Sequence, residues 1–393
     1  MNALPLLFER PVTAGERWIF SAGCNVTDTL GDTSRIDCEL ADIAYLADRN
    51  ARVAVLTHQG RHGDGTARHL SDIAQYMAYK LNRPVHYFPA CATGDAAARS
   101  LILDPGDVCI FGNTRHHPGE ETADPALAAQ LAALGDYVAV GGFSKAHRVH
   151  ASNVGILAHR PGWAAGSLLD EMTLLGPWVG RRPRTPSVAF LGGTKPEKTL
   201  TGLTGFSRTY DLVVPGGAVL HHLLRAQGYA VGASELGDKA DACTAAAAEA
   251  LSSATARIHL PTRVIIARRD GDTYSGNRTV HIEEGVPDGH AIVDFLPEPW
   301  LADKLRALRS GARAIVAGTP SLHTSGYSIA SNLAVSFAEA PKVHGILLGG
   351  DTVAELPFHG STSTGGGSAL HYLHHADLPV LKALRDHTTR RAA

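Results

Sequence analysis

Arginines and histidines recur beside the ends of short apolar stretches in the first half of this 393-residue chain. They are Arg35 in "TSRID", His58 and Arg61 in "THQGRHG", Arg115 in "GNTRHH", and His147 and Arg148 in "FSKAHRVH". Guanidinium forks match the oxygens of carboxylates and phosphates, so arginines converging on one cleft suit a small dianion. The second half carries a different set. "FLGGTKPEK" places Gly192, Gly193, Lys195 and Lys198 after an apolar stretch, and "VVPGGA" places Gly216 and Gly217 after another. "ILLGGDT" ends in Gly349, Gly350, Asp351 and Thr352, and "STSTGGGSALHYL" opens a helical stretch with Gly365, Gly366 and Gly367. Glycine lets backbone N–H groups approach phosphate oxygens, and a helix N-terminus favours their charge. Lys195 supplies a point charge for a phosphoryl group, and Asp351 is suited to Mg²⁺, which binds through one or two carboxylates plus phosphates. No G-x-x-x-x-G-K-[ST] is present, so this is not a P-loop.

The elements that must position these residues alternate along the chain. "RWIFSAGC", "RVAVLT", "PVHYFP", "DVCIFGN" and "DYVAVGGF" read as strands, separated by helical stretches such as "DCELADIAYLADRN" and "ARHLSDIAQYMAYKLN". "SVAFLGG", "DLVVPGG", "RVIIARR", "RAIVAGT" and "VHGILLGG" repeat the theme. Alternation of this kind predicts parallel sheets wrapped by helices on both faces, with ligands beyond the carboxyl ends of the strands. A Pro- and Arg-rich break, "GPWVGRRPRTPSVAF", divides the chain. It predicts a domain over 1–180, a linker over 181–186 and a second domain over 187–375.

Composition bounds the partners. Hydrophobic residues make up 44%, charged residues 19%, and the net charge is -2, without runs of one sign. That argues against nucleic acid or a membrane surface as the main partner and points to small molecules. The cysteines (Cys24, Cys38, Cys91, Cys109, Cys243) lack C-x-x-C spacing, which suits buried thiols in a reducing cytoplasm. The opening "MNALPLLFERPVTAGER" lacks the pattern of a signal peptide, and no apolar run reaches membrane length.

Taken in order, "SRID", "THQGRH", "GNTRHH", "AHRVHAS", "LGGTK", "PGGA", "LLGGDT", "STGGGSAL" and "LPVLKAL" resemble the landmarks of the phosphoglycerate kinase family along almost the whole chain. The resemblance implies two Rossmann-like three-layer α/β/α domains with parallel sheets, joined by a hinge and acting as a cytoplasmic monomer. It implies that the segment 376–393 packs back on the N-terminal domain, and that the domains swing together for transfer. Asn25, Arg35, His58, Arg61, Arg115 and Arg148 match the acid-binding side. Gly192, Gly193, Lys195, Lys198, Gly216, Gly217, Gly349, Gly350, Asp351, Thr352, Gly365, Gly366 and Gly367 match the side that binds ATP or ADP, with Asp351 meeting Mg²⁺. Arg35, Lys195, Gly350 and Gly366 fall to the transfer itself.

The departures from the family carry information too. Where the family ends its first strand in arginine and then aspartate, this chain has Ser21 and Gly23. That aspartate accepts the hydroxyl of phosphoglycerate in the family. Gly112 replaces a glutamate, the asparagine and aspartate before Phe143 are gone, and Lys145 is new. The family's second lysine falls at Thr199, with Lys198 one place earlier, an offset that turns a side chain by about 100° on an α-helix. The glutamate that holds the ribose has no clear counterpart. The expectation is an ATP-dependent kinase that phosphorylates the carboxylate of a small anionic acid other than 3-phosphoglycerate, in a specialised biosynthetic route. The alternatives are an ordinary phosphoglycerate kinase and a non-catalytic nucleotide-binding descendant.

Overall fold

Strands that are apolar throughout must be covered on both faces. The segment "RVAVL" illustrates this: all but its first residue are buried. A computed structural model describes residues 3–26 and 30–392, with the backbone alone for 387–392. The chain divides into two units, one of Met1–Leu174 with Asp377–Ala393, the other of Leu175–Ala376.

The first unit contains β1 (Arg17–Ser21), β2 (Arg52–Leu56), β3 (Val85–Phe88), β4 (Val108–Phe111), β5 (Tyr137–Val140) and β6 (Gly162–Ala164). They form one sheet in the order β3-β4-β2-β1-β5-β6, every pair parallel. The connections carry α1 (Ser34–Asp37), α2 (Leu40–Ala47), α3 (Ser71–Leu81), α4 (Gly94–Leu101), α5 (Pro125–Ala132) and α6 (Gly166–Leu175). Helix starts are written locally. The Asp124 carboxylate accepts from Leu127 N at 2.7 Å with Pro125 in the first turn, and Thr93 Oγ1 accepts from Ala96 N at 3.1 Å. Trp18, Phe20, Ile43, Leu46, Val53, Val55, Ile73 and Met77 fill the core on one side of the sheet.

In the second unit, β7 (Ser187–Leu191), β8 (Leu212–Pro215) and β9 (Arg257–Ile258) precede an antiparallel meander. The meander is β10 (Arg263–Asp270), β11 (Thr273–His281) and β12 (His290–Phe295). Then come β13 (Ala312–Ala317), β14 (Val343–Leu348) and β15 (Ser361–Ser363). The main sheet has the order β15-β14-β13-β7-β8-β9 and is parallel. Its helices are α7 (Thr204–Thr209), α8 (Gly217–Ala226), α9 (Ala240–Ser253), α10 (Pro299–Leu308), α11 (Ile329–Ala338), α12 (Gly350–Glu355) and α13 (Gly367–His375). The stretch "RVIIARR", expected in the parallel sheet, instead forms β10 of a separate sheet ordered β11-β10-β12. Its hairpin partner β11 is mostly exposed and polar, so no apolar pattern marks it. Its two-residue turn, Gly271–Asp272 with Gly271 at φ 58°, is the written signal.

The division between units does not fall at 181–186. Residues just before it are held within the second unit. Gly180 N donates to Leu373 O at 2.9 Å, Trp178 Nε1 to His344 O at 2.9 Å, and Tyr210 Oη to Trp178 O at 2.8 Å. The buried Arg313 guanidinium donates to the carbonyls of Val179 and Gly180. A composition-based boundary marks the exposed arginines and misses these bonds. The last helix, α14 (Pro379–Ala392), belongs to the first unit, where Val380 N donates to Ala146 O at 3.4 Å. Among the described residues no helix is long and apolar enough to cross a membrane.

Buried imidazoles make both units acid-sensitive. Burial pushes His150 down to about 3 and His221 and His259 down to about 4, and holds His58 well below the usual range. Each unfolded imidazole takes a proton near pH 6.5, whereas the folded one does not until far lower. Stability is therefore lost as pH falls below 6.5, by up to about 1.4 kcal/mol per pH unit per group. Glu39, pushed up to about 7 by burial, acts in the opposite sense between 7 and its ordinary value of 4.5. The histidines outnumber it. Calorimetry should show the melting temperature falling by about 5 °C between pH 7 and 5.5; a flat profile would contradict this account.

Candidate functional site

Parallel strands deliver the residues that follow them to one edge of the sheet, and the basic residues of the first unit follow β1, β2, β4 and β5. Asn25, after β1, is the junction: its Oδ1 accepts from Gly60 N at 3.2 Å and its O accepts from Arg35 Nη1 at 2.7 Å. The turn after β2 is tight, because a Cβ on Gly60 (φ 75°) would stand 2.1 Å from Thr66 O. The exposed Arg61 follows it, its N donating to Thr66 Oγ1 at 2.9 Å. After β4, Asn113 Oδ1 accepts from Arg115 N at 2.9 Å, and its Nδ2 donates to Gln59 O at 2.8 Å, locking this turn to the one after β2. Arg115 is 2% exposed; its Nη1 donates to Glu121 Oε1 at 2.6 Å, and its Nε is buried without a hydrogen-bond partner.

Sequence alone could not show that these groups meet; the electrostatics do. Burial and then the fields of Arg115, Lys145, His150 and Arg148 hold the buried His58 neutral. Burial and the neighbouring Arg148 and Arg61 lower Arg115 too, against the pull of Glu121. Cations from the ends of β2, β4 and β5 thus share one region. Three of its members were missed as site residues: His150, Glu39 and Glu120, all buried. The "AHRVH" spacing was the signal for His150; Glu39 reads as an ordinary helix-surface residue in "DCELADIA".

In the second unit the glycines fall into two kinds. A Cβ on Gly192 would stand 2.3 Å from Thr319 O, one on Gly216 2.2 Å from Pro320 O, and one on Gly217 2.8 Å from Gly193 N. These glycines let the turns after β7, β8 and β13 pack backbone to backbone. Gly349 (φ 103°) and Gly366 (φ 52°) differ: a Cβ there has room, and it is the backbone conformation that selects glycine. They stand after the adjacent strands β14 and β15 and lead into α12 and α13, where Gly350 and Gly367 are the first helical residues. Gly365 N donates to Ser363 Oγ at 3.1 Å.

Lys195 and Asp351 form an ion pair, both side chains largely exposed. Thr352 has a different task, since its Oγ1 accepts from Gly318 N at 3.0 Å and ties the turn after β13 to α12. Lys198 is not turned away as α-helical geometry predicts. Residues Lys198–Leu203 are wound as a π-helix, and the buried Nζ reaches Leu348 O at 3.5 Å, beside Gly349. Burial and the neighbouring Lys195 pull its pKa down to about 8. Two ammonium groups, one accessible carboxylate and glycine turns at helix starts fit a nucleotide's phosphates with Mg²⁺. Among the described residues no group of three or more His, Cys, Asp or Glu could hold a metal by itself.

This pairing of a cationic α/β unit with a glycine- and lysine-bearing one is that of a two-unit phosphotransferase. The family model described as "Phosphoglycerate kinase" matches residues 20–375. The chain is 32% identical over 395 residues to phosphoglycerate kinase of Zymomonas mobilis, covering 94% of this chain and 96% of the relative. It is 34% identical over 373 residues to that of Rhodospirillum centenum, covering 90% and 92%. The solved structure of phosphoglycerate kinase from Coxiella burnetii matches with a TM-score of 0.71 at 25% identity, covering 99% of each chain. The one from Pyrococcus horikoshii shares the fold, with a TM-score of 0.76 at 22% identity over 98% of this chain and 100% of that one. The chain belongs to the phosphoglycerate kinase family. Enzymes of this family are kinases that use ATP or ADP with Mg²⁺.

The two kinds of glycine should separate on substitution. Gly192→Ala forces a methyl into the Thr319 backbone and should cost about 3 kcal/mol or more of stability. Gly366→Ala meets nothing and should cost only the backbone term, about 1–2 kcal/mol. Thermal melts of both variants check this ordering.

Proposed function

We propose that the chain transfers the γ-phosphoryl group of ATP to the carboxylate of 3-phosphoglycerate, and runs the reverse reaction. The carboxylate oxygen forms a bond to the γ-phosphorus as the bond from that phosphorus to the β–γ bridging oxygen breaks, giving an acyl phosphate and ADP. The observation that carries this reading is the convergence of Arg115 and Arg148 on His58, with Arg61 beside Arg115, in one unit of a chain that matches the family over residues 20–375. The names of the curated relatives favour 3-phosphoglycerate as the acid.

In this reading Asn25, Arg35, His58, Arg61, Arg115 and Arg148 bind and orient the acid. Lys195, Lys198, Gly349–Thr352 and Gly365–Gly367 hold the phosphates, with Gly192, Gly193, Gly216 and Gly217 shaping the turns around them. Asp351 would hold Mg²⁺, which would supply positive charge against the phosphate oxygens. Arg35, Lys195 and the backbone of Gly350 and Gly366 stabilise the charge of the phosphoryl group in transfer. Catalysis here is positioning and charge stabilisation. The two sets of residues lie on different units, so neither suffices alone.

A second reading, that the acid differs from 3-phosphoglycerate, is favoured by one observation. A Cβ on Gly23 would stand 2.7 Å from Gly142 Cα, so this backbone leaves no room for the carboxylate that accepts the hydroxyl in the family. Losing a recognition partner for a substrate hydroxyl costs on the order of 10²-fold or more in selectivity.

One screen decides among the readings. Acyl phosphate is trapped with hydroxylamine in the presence of ATP, Mg²⁺ and either 3-phosphoglycerate or other small anionic acids. Turnover of 3-phosphoglycerate at least as good as that of every other acid supports the first reading. A preference of about 10² for another acid supports the second, and nucleotide binding without turnover of any acid rejects both. Asp351→Asn should lower kcat by about 10²-fold or more with the fold intact; unchanged turnover would remove Asp351 from the site.

A further inference from the structure

Three glycines, Gly23, Gly141 and Gly142, sit just past the ends of β1 and β5, and the room they leave is filled. A Cβ on Gly141 would stand 2.0 Å from Glu39 Oε2, and one on Gly142 2.6 Å from Lys145 Cε. The Glu39 carboxylate enters from the start of α2 and binds both turns. Its Oε1 accepts from Gly142 N at 2.7 Å and from Gly23 N at 3.3 Å, and its Oε2 accepts from Ser167 Oγ at 3.2 Å. Lys145, 3% exposed, donates from Nζ to Ser21 Oγ at 2.5 Å, and Ser21 Oγ donates to Ser152 O at 2.7 Å. Glu120, 0% exposed, accepts from Ser152 N at 3.0 Å, Ser152 Oγ at 2.5 Å and Thr114 Oγ1 at 3.3 Å.

One buried ammonium therefore lies in the field of two buried carboxylates, Glu120 and Glu39, and the network reaches the ends of β1, β4 and β5. Those three ends carry Asn25, Arg115 and Arg148. Glu39 is 1% exposed and both its oxygens accept from protein donors, so it presents no acceptor at the surface to a substrate hydroxyl. Lys145 also contributes to the fields that keep His58 and His150 uncharged.

We propose that Glu39, Lys145 and Glu120 form a positioning unit for the acid, holding three strand ends in register and closing the floor of the acid site to hydroxyl recognition. The acid is then selected by its anionic groups. The proposal rests on the carboxylate-kinase reading and deepens its second form. Removing one charge leaves its partner buried and unpaired, whereas removing both relieves that cost.

The test uses the full-length protein and its Glu39→Gln, Lys145→Met and doubly substituted forms. Two measurements are made: steady-state constants for ATP and for the best acid of the screen, and hydrogen exchange of the peptides spanning 21–25 and 140–148. Each single variant should raise the acid KM by about tenfold or more with the ATP KM within about twofold, and the double variant should cost less than the product of the singles. Exchange should accelerate at both turns together in Glu39→Gln. Faster exchange with an unchanged acid KM would reduce the three residues to a structural role and overturn the proposal. So would multiplicative single effects, or acceleration at one turn alone. If the unsubstituted protein turns over no acid, the kinase reading fails; coupled exchange would then retain the link between the turns and strip it of its role toward an acid.

Discussion

Parallel strand polarity is the constraint on which everything else here depends. In each unit six strands run the same way, so every residue that follows a strand emerges at one edge. Side chains distant in sequence become neighbours without any loop reaching for them. Asn25, His58, Arg115 and Arg148 follow four strands that are contiguous in the order β4-β2-β1-β5. Gly349 and Gly366 follow two more, β14 and β15, that are adjacent. Short turns then become a necessity, and they explain why so many backbones touch at these edges.

This division of labour also clarifies the glycines. A glycine after a strand is read most readily as a phosphate cradle, and at Gly349 and Gly366 the open space and positive φ agree with that reading. At Gly192, Gly216 and Gly217 the same residue type serves the contact of one turn with another. In the proposed reading, the phosphate side is a set of cradle residues resting on a base of interlocked turns. Damage to the base reaches the cradle through Thr352, whose hydroxyl joins the turn after β13 to α12.

Much of this was legible in the sequence, and the illegible parts have physical reasons. Strand and helix alternation follows from apolar runs that must be covered on both faces, and ten of the strands declare themselves in this way. The edge strand β11 does not, being polar and exposed, although "RRDGDTY" carries its turn. The unit boundary is set by hydrogen bonds from Trp178, Gly180 and Arg313, which no composition shift records. Lys198 misled through an assumption about winding: π-type hydrogen bonding changes where a side chain points without changing the residues. The basic groups were readable as a list, but their convergence was not. Buried carboxylates such as Glu39 and Glu120 look in sequence like the solvated charges of any helix or loop.

The approach of Gly23 to Gly142 bears on how such a chain changes over generations. A single substitution cannot place an aspartate at position 23, because its Cβ would collide with the opposite backbone. That backbone is drawn in by Glu39, and Gly141 has no room for a side chain while Glu39 stays. Lys145 in turn would be left among fewer counter-charges if Glu39 were lost. An aspartate at position 23 therefore needs several changes at once, each harmful alone, so substitutions at Gly23, Glu39, Gly141 and Lys145 are coupled and this corner of the fold resists change one residue at a time.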